Sequence, residues 1–502
     1  MRRNSLLDFI ENTGNRLPHP TVLFLILCGI ILFASTIFST LGLNAVHPIT
    51  NKTINVVNLI SVDGLHRILS ETVKNFITFA PVGTVLVAIM GIGVAEHSGL
   101  LSALLRATVL KAPETLLTFT IVLAGVLSSL AADTGYVVLI PLAALIFQSV
   151  GRHPIVGIAA AFAGVSGGYS ANLLIGPLDA ILAGISTEAA SLIQTDYEVS
   201  AAGNYYFIFT STFFVTLIAT WITERVVSPR WTKLEAKSDL TKTTLEKLSS
   251  KEKSALKAVG IFSMLFVGLL LWALIPENGV LRDQTSQSIL RSPFIKGIVT
   301  IIAIYATVAG ILFGKISGRY KHTSEFVAGM EKHIATMASY LVLMFFAAQF
   351  VSYFSWSNLG SIIAINGANF LSTLELQSSS LLISFILMAA FINLFIGSAS
   401  AKWALIAPIF VPMFLLSGIT PEATQIAYRI GDSSTNIITP LMPYFGVVVA
   451  FAQQYKKDIG MGTIIAMMLP YSIAFLIGWS ILLLIWIYLG WPLGPDANVL
   501  MN

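Results

Sequence analysis

Two stretches decide how this chain folds: GVSGGYSANLLIGP over Gly164–Pro177 and YRIGDSSTNIITP over Tyr428–Pro440. Each lies within a run long and apolar enough to be read as a membrane span. Neither makes a good continuous helix, because Gly and Pro are the residues that weaken helices most. The reading is two half-helices joined by unwound backbone, which persists at membrane depth only where protein or a cavity shields it from lipid. The breaks are expected to centre on Gly167–Asn172 and Gly431–Asn436.

Composition supports a membrane setting. Of 502 residues, 55% are hydrophobic and only 11% charged, against about 25% charged in a soluble domain. Apolar stretches of about 20 residues, the length that crosses a ~30 Å hydrocarbon core, recur along the chain, and the alternating pattern of a membrane β-barrel is absent. The expectation is therefore an all-α membrane protein. A net charge of +4 comes mostly from Lys and Arg in loops, where they orient the chain and imply no nucleic acid. The single Cys28 excludes an internal disulfide framework and a multi-cysteine metal site. The N-terminus, with Arg2, Arg3 and Arg16, has no leader-like cleavage pattern and reads as a cytoplasmic amphipathic segment.

Working outward from the breaks, spans are predicted at about 21–43, 76–105, 155–185, 204–228, 259–275, 295–314, 334–356, 419–450 and 462–489. The stretches 44–74 and 186–203 read as external loops, and 229–257 as a charged cytoplasmic linker. Two further apolar segments, 115–150 and 379–417, are broken in the middle by Ser128, Ser129, Asp133, Thr134 and Gly135, and by Gly397–Ser400. Basic residues at both ends of the first, Lys111 and Arg152, favour a hairpin that enters and leaves on one side. Nine transmembrane helices and two re-entrant hairpins result.

The hairpins and breaks form a repeat. At an offset of 267, Pro141 falls on Pro408, Gly151 on Gly418, Pro154 on Pro421, and Tyr136 on Trp403. At 264, Gly167, Ser170 and Asn172 fall on Gly431, Ser434 and Asn436, and one more slip aligns Pro177 with Pro440. An odd number of spans separates the hairpins, so the halves, about 80–228 and 334–489, are inverted. Inverted repeats with discontinuous helices point to a secondary-transporter site near the bilayer midplane.

Ionisable residues inside spans cost about 2.5–3.5 kcal/mol each on insertion scales, so each asks for a reason. Asp432 and Arg429 flank the second break, Asp179 follows the first, Lys402 adjoins the second hairpin tip, and Asp133 sits at the first tip. One reading makes Ser170, Asn172, Ser434 and Asn436, with unwound carbonyls, a cage for Na⁺, completed by Asn393 and Asp432; Asp432 is alternatively a proton carrier. The other makes these groups interhelical hydrogen bonds that hold the bundle together. Trp403 and Tyr136 either stack on an aromatic substrate or anchor packing. Lys402 and Arg429 either hold carboxylates or, for Arg429, pair with Asp432 one helical turn away. Glu96 and His97 read as interfacial. No cofactor is expected, and the coupling ion is Na⁺, H⁺ or both.

Three motifs, GVSGGYSANLLIGPLD (164–179), GSASAKWALIAPIFVPMF (397–414) and YRIGDSSTNIITPLMPYF (428–445), resemble the AbgT family of p-aminobenzoyl-glutamate transporters over essentially the whole chain. The paired breaks are also similar to those of divalent-anion/sodium symporters. The resemblance implies a bacterial inner-membrane homodimer, with an inner scaffold and an outer core that holds both hairpins. It implies p-aminobenzoyl-glutamate as cargo, with p-aminobenzoate and sulfonamide export in some members. It places Asn393, Ser400, Trp403, Arg429, Asp432 and Pro440 at the central site and Asp179 near them. The expected function is ion-coupled transport of a small aromatic carboxylate or amide, with sulfonamide export or di/tricarboxylate–sodium symport as alternatives. A polytopic enzyme would need a convergent catalytic set, and a channel would not require two occluding hairpins.

Overall fold

The structure, a computed structural model, describes residues 20–46, 52–109, 113–131, 135–232, 248–276, 278–283, 292–440, 442 and 444–501. The N-terminal segment, Lys111, Asp133, Thr134 and most of the charged linker lie outside them. Apart from the short antiparallel pair Asn44–Val46 and Thr53–Asn55, the named elements are helical. Six helices among the described residues are long and apolar enough to cross a bilayer, and nine when each sharply bent pair counts as one span. These nine are not all the predicted ones. The hairpin arm Ala399–Leu416 is long enough by itself, whereas the halves of the broken helices are too short.

Both halves run through the same events. A first hairpin pairs Leu117–Leu127, extended by a 3₁₀ turn Ser128–Ala131, with Ile140–Ser149, which is preceded by a π turn at Gly135–Leu139. A broken helix follows: Pro154–Phe162 runs through a π turn at Ala163–Gly167, unwinds, and resumes at Pro177–Ala190. In the second half the hairpin pairs Ser378–Asn393 with Ala399–Leu416, and the broken helix is Pro421–Asn436 followed by Phe445–Tyr455. Each broken helix starts at a proline, the residue tolerated at a first helical position.

Sequence and structure differ at several places, each with a physical reason. Residues 62–78, taken as mostly loop, form a helix capped by the Ser61 side chain, which accepts from the Gly64 N–H. Its apolar residues Val62, Leu65, Leu69, Val73 and Ile77 lie along one exposed stripe, a spacing that a search for continuous apolar runs passes over. The span expected at 76–105 is instead Ala80–His97 and Leu100–Val109, bent by 64°. Gly99 supplies the turn with φ +82°, a left-handed conformation that side chains resist. A helix over Leu359–Thr373, unassigned in the sequence, turns by 119° into the second hairpin. The helix Ser250–Leu274 starts inside the charged linker, where Ser249 and Glu252 form a capping box.

The second break is also displaced. The helix is continuous through Gly431–Asn436 and breaks only after it. A Cβ at Gly431 would stand 2.4 Å from the Ile386 carbonyl oxygen, so this glycine permits close packing on the hairpin and does not unwind the helix. The Ser434 hydroxyl expected in the cation cage bonds back along the helix to the Ile430 carbonyl at 2.5 Å, as its neighbour Thr435 does to Gly431 at 2.9 Å. Pro440, with no N–H to donate, falls in the non-helical stretch beyond.

Candidate functional site

The helix Pro421–Asn436 is buried along its whole length, although it carries Glu422, Arg429 and Asp432. Charges at such a position must be paired. Arg429 reaches into the other half, where Nη1 lies 2.6 Å from Asp179 Oδ1 and Nη2 donates to the Ser170 carbonyl at 3.1 Å. Asp179 is itself held, since its Oδ2 accepts the Gly176 N–H at 2.7 Å and caps the half-helix Pro177–Ala190. Asp432 forms an ion pair with the fully buried Lys402. In place of the alternative Arg429–Asp432 pairing along one helix, the structure has two pairs, one bridging the halves and one tying the second hairpin to the second broken helix.

Two asparagines organise the breaks. Asn393 Nδ2 donates to the Asp432 carbonyl at 2.7 Å, to Thr435 Oγ1 at 2.8 Å and to Asn436 Oδ1 at 2.9 Å, while its Oδ1 accepts from Lys402. Asn172 does the converse in the first half. Its Oδ1 accepts the Leu173 N–H at 2.8 Å, and its Nδ2 donates to Ser129 at the hairpin tip at 2.8 Å.

Trp403 is fully buried, stacks on Tyr428 with centroids 4.7 Å apart, and donates its indole N–H to Ser186 Oγ at 3.0 Å. It joins the second hairpin to the half-helix Pro177–Ala190. Tyr428 in turn donates to the Ala399 carbonyl at 2.5 Å.

Between the two hairpin tips lies a cavity of about 330 Å³. Ser129 and Tyr136 come to it from the first tip, Gly397–Ser400 from the second, Tyr169 from the first break, and Asn436, Met442 and Tyr444 from the second. Apolar residues Val85, Ile89 and Ile92 of the helix Ala80–His97 close it on one side, and Glu96, His333 and Met337 line the same wall. Tyr136 and Tyr444 pack face to face, centroids 4.5 Å apart and planes 10° apart.

Of the candidate site residues named from the sequence, Tyr136, Ser400 and Asn436 line this cavity, and so does Glu96, which had read as interfacial. Asn393, Lys402, Trp403, Arg429, Asp432, Asp179, Ser170, Asn172 and Ser434 are buried outside its lining, and Pro440 is not among its lining residues. The Ser170 hydroxyl is buried without a hydrogen-bond partner. Sequence reasoning missed Tyr444, Tyr169, Ser398 and the Glu96–His333 pair. Tyr444 lay within a quoted motif and followed Pro440, a signal that could have found it. Nothing in the sequence links positions 96 and 333.

The model of the AbgT putative transporter family matches residues 5–501. This chain belongs to that family. It is 36% identical over 490 residues to the p-aminobenzoyl-glutamate transport protein of Escherichia coli (strain K12), covering 98% of this chain and 96% of that one. Two solved structures share the fold of this AbgT-family transporter. The YdaH transporter of Alcanivorax borkumensis, described as having an unusual topology, is 50% identical with TM-score 0.92, covering 95% of this chain and all of that one. MtrF of Neisseria gonorrhoeae, described as illuminating a class of antimetabolite efflux pumps, is 47% identical with TM-score 0.93, covering 98% of this chain and all of that one.

Proposed function

We propose that this multi-pass transporter moves p-aminobenzoyl-glutamate or a related aromatic carboxylate across the bacterial inner membrane, driven by an ion gradient. The cavity between the hairpin tips carries this reading. Its stacked tyrosines and aliphatic wall suit a benzene ring, and its tip serines and Asn436 offer hydrogen bonds to an amide or carboxylate. The name of the Escherichia coli relative points to the same cargo. Export of sulfonamide-type antimetabolites is the second reading, favoured by the 47% identity to MtrF.

The protein works as a homodimer with its N-terminus in the cytoplasm, and Na⁺, H⁺ or both drive it. For Na⁺, the oxygens of Asn393 and Asp432 are a poor fit, because the Lys402 ammonium already occupies them. The first break fits better: the unpartnered Ser170 hydroxyl and the unwound carbonyls around Asn172 are hard oxygen donors. Uptake of labelled p-aminobenzoyl-glutamate into proteoliposomes, with Na⁺ and pH gradients varied separately, tests the whole reading. Gradient-dependent flux is expected; none for that compound or for a sulfonamide would overturn it.

A further inference from the structure

Apart from tyrosines, two ionisable side chains line the central cavity among the described residues, Glu96 and His333. They belong to different helices, Ala80–His97 and Ser324–Thr336, and His333 Nε2 lies 3.0 Å from Glu96 Oε2. The other ring nitrogen settles where the protons are. His333 Nδ1 lies 2.9 Å from the Gly329 carbonyl oxygen. A carbonyl only accepts, so Nδ1 carries a hydrogen. The contact between Nε2 and Oε2 then holds a single proton, either on an imidazolium beside a carboxylate or on a carboxylic acid beside a neutral ring. Removing that proton leaves a ring lone pair facing a carboxylate. The contact becomes repulsive and the cavity wall gains one negative charge.

The ring has a rigid seat. A Cβ on Gly93 would stand 2.7 Å from His333 Cβ, so the helix backbone presses directly against the imidazole side chain. Further charged groups among the described residues act around the pair. Lys332 on the same helix acts on His333, and His97 on the facing helix feels His333, Lys332, Arg319 and Glu325. Glu331 is exposed. None of these further groups lines the cavity.

We propose that the Glu96–His333 pair is the proton-binding site of the transport cavity, and that an anionic cargo and this proton bind cooperatively. The proposal rests on the reading of the cavity as the cargo site. An anion in the cavity favours the neutral state of the pair over the negative one. By reciprocity the bound proton strengthens anion binding by the same factor.

Two measurements test it. Solid-state NMR of ¹⁵N-histidine-labelled protein, with the His333 signal identified by its loss in His333→Gln, reads the ring directly. The expected result is an Nδ1 that stays protonated while Nε2 titrates, with the midpoint moved in Glu96→Gln. A neutral ring carrying its proton on Nε2, or a midpoint that ignores Glu96→Gln, overturns the proposal. Calorimetric binding of p-aminobenzoyl-glutamate between pH 5.5 and 9, where ordinary carboxylates stay ionised, should weaken on the order of tenfold as the pair loses its proton, within the usual range for coupled sites. That dependence should flatten in both variants. Binding that ignores pH in the wild type overturns the coupling alone, whereas no binding at any pH overturns the cargo reading with it.

Discussion

The two halves share one plan and carry different loads. In the first, the broken helix is interrupted early by a π turn and unwinds over a stretch whose polar groups are uncharged apart from the cap at Asp179. In the second, the corresponding helix stays intact to Asn436 and buries Glu422, Arg429 and Asp432. The first thus supplies open backbone, and the second supplies fixed charge. Arg429 joins them by donating to both Asp179 and the unwound Ser170 carbonyl of the first half. A repeat that had stayed chemically symmetric would duplicate either the open carbonyls or the charges, and neither alone would satisfy the other.

The largest effect is expected on breaking that link. Arg429→Ala leaves the Asp179 carboxyl buried without its ion-pair partner, a loss of about 3–5 kcal/mol. It should abolish cooperative thermal unfolding in detergent, while Arg429→Ala with Asp179→Asn together should recover part of the loss. A double variant as unstable as the sum of the singles would show that the pair does not couple the halves. Next come the two organising asparagines. Asn393→Ala removes the three hydrogen bonds its amide group donates and leaves Lys402 with its Asp432 ion pair, and should cost about 2–4 kcal/mol; Asn172→Ala, with fewer bonds, should cost about 1–2 kcal/mol. Unfolding midpoints compare them, and equal shifts would contradict the unequal loads described above.

A half-exposed pair in the first half should matter less. Arg152 Nη2 lies 2.8 Å from Glu224, and its Nη1 donates to the hairpin residue Thr118, so it joins the hairpin to the π turn Thr223–Val227 that continues the helix Tyr205–Ile222. Because solvent screens it, Arg152→Ala should cost about 1 kcal/mol or less, and added salt should shrink the effect. The smallest effect concerns the caps. His153 caps the first broken helix by accepting the Ile155 N–H, and Thr420 caps the second by accepting from Ala423. Burial and then the nearby Lys456 hold the His153 imidazole below its ordinary value. A lowered value means the folded state favours the neutral ring. The cap's contribution is therefore present above about pH 6.5, the unfolded imidazole value, and is lost as pH falls below it. His153→Thr should remove that pH dependence from the unfolding midpoint without changing the midpoint much at pH 8.

Much of the fold was legible because apolar length and helix-breaking residues are local signals. The two hairpins and two discontinuous helices follow from runs interrupted by Gly, Ser and Pro. The amphipathic helix Val62–Thr78 escaped because its apolar residues are spaced three and four apart, not consecutive. The displaced second break escaped for a related reason. Gly431, Ser434 and Asn436 look alike in sequence whether a helix unwinds there or packs closely there, and only the proximity of Ile386 separates the two. Among site residues, the importance of Asp179, Asn393, Lys402, Arg429 and Asp432 was legible from the cost of burying polar groups, but their partners were not.

The sequence by itself determined that this is a helical membrane protein, that its two halves repeat, and that charge concentrates in the second. Those properties depend on which residues neighbour each other along the chain. Only the tertiary structure decided that Arg429 reaches Asp179 and not Asp432, that Trp403 packs on Tyr428 outside the cavity lining, and that Glu96 meets His333 on the cavity wall. Each of these contacts joins or seats residues by the way separate helices pack, over separations of 250 positions for Arg429 and 237 for His333. Packing geometry of that range leaves no periodicity in the chain to read.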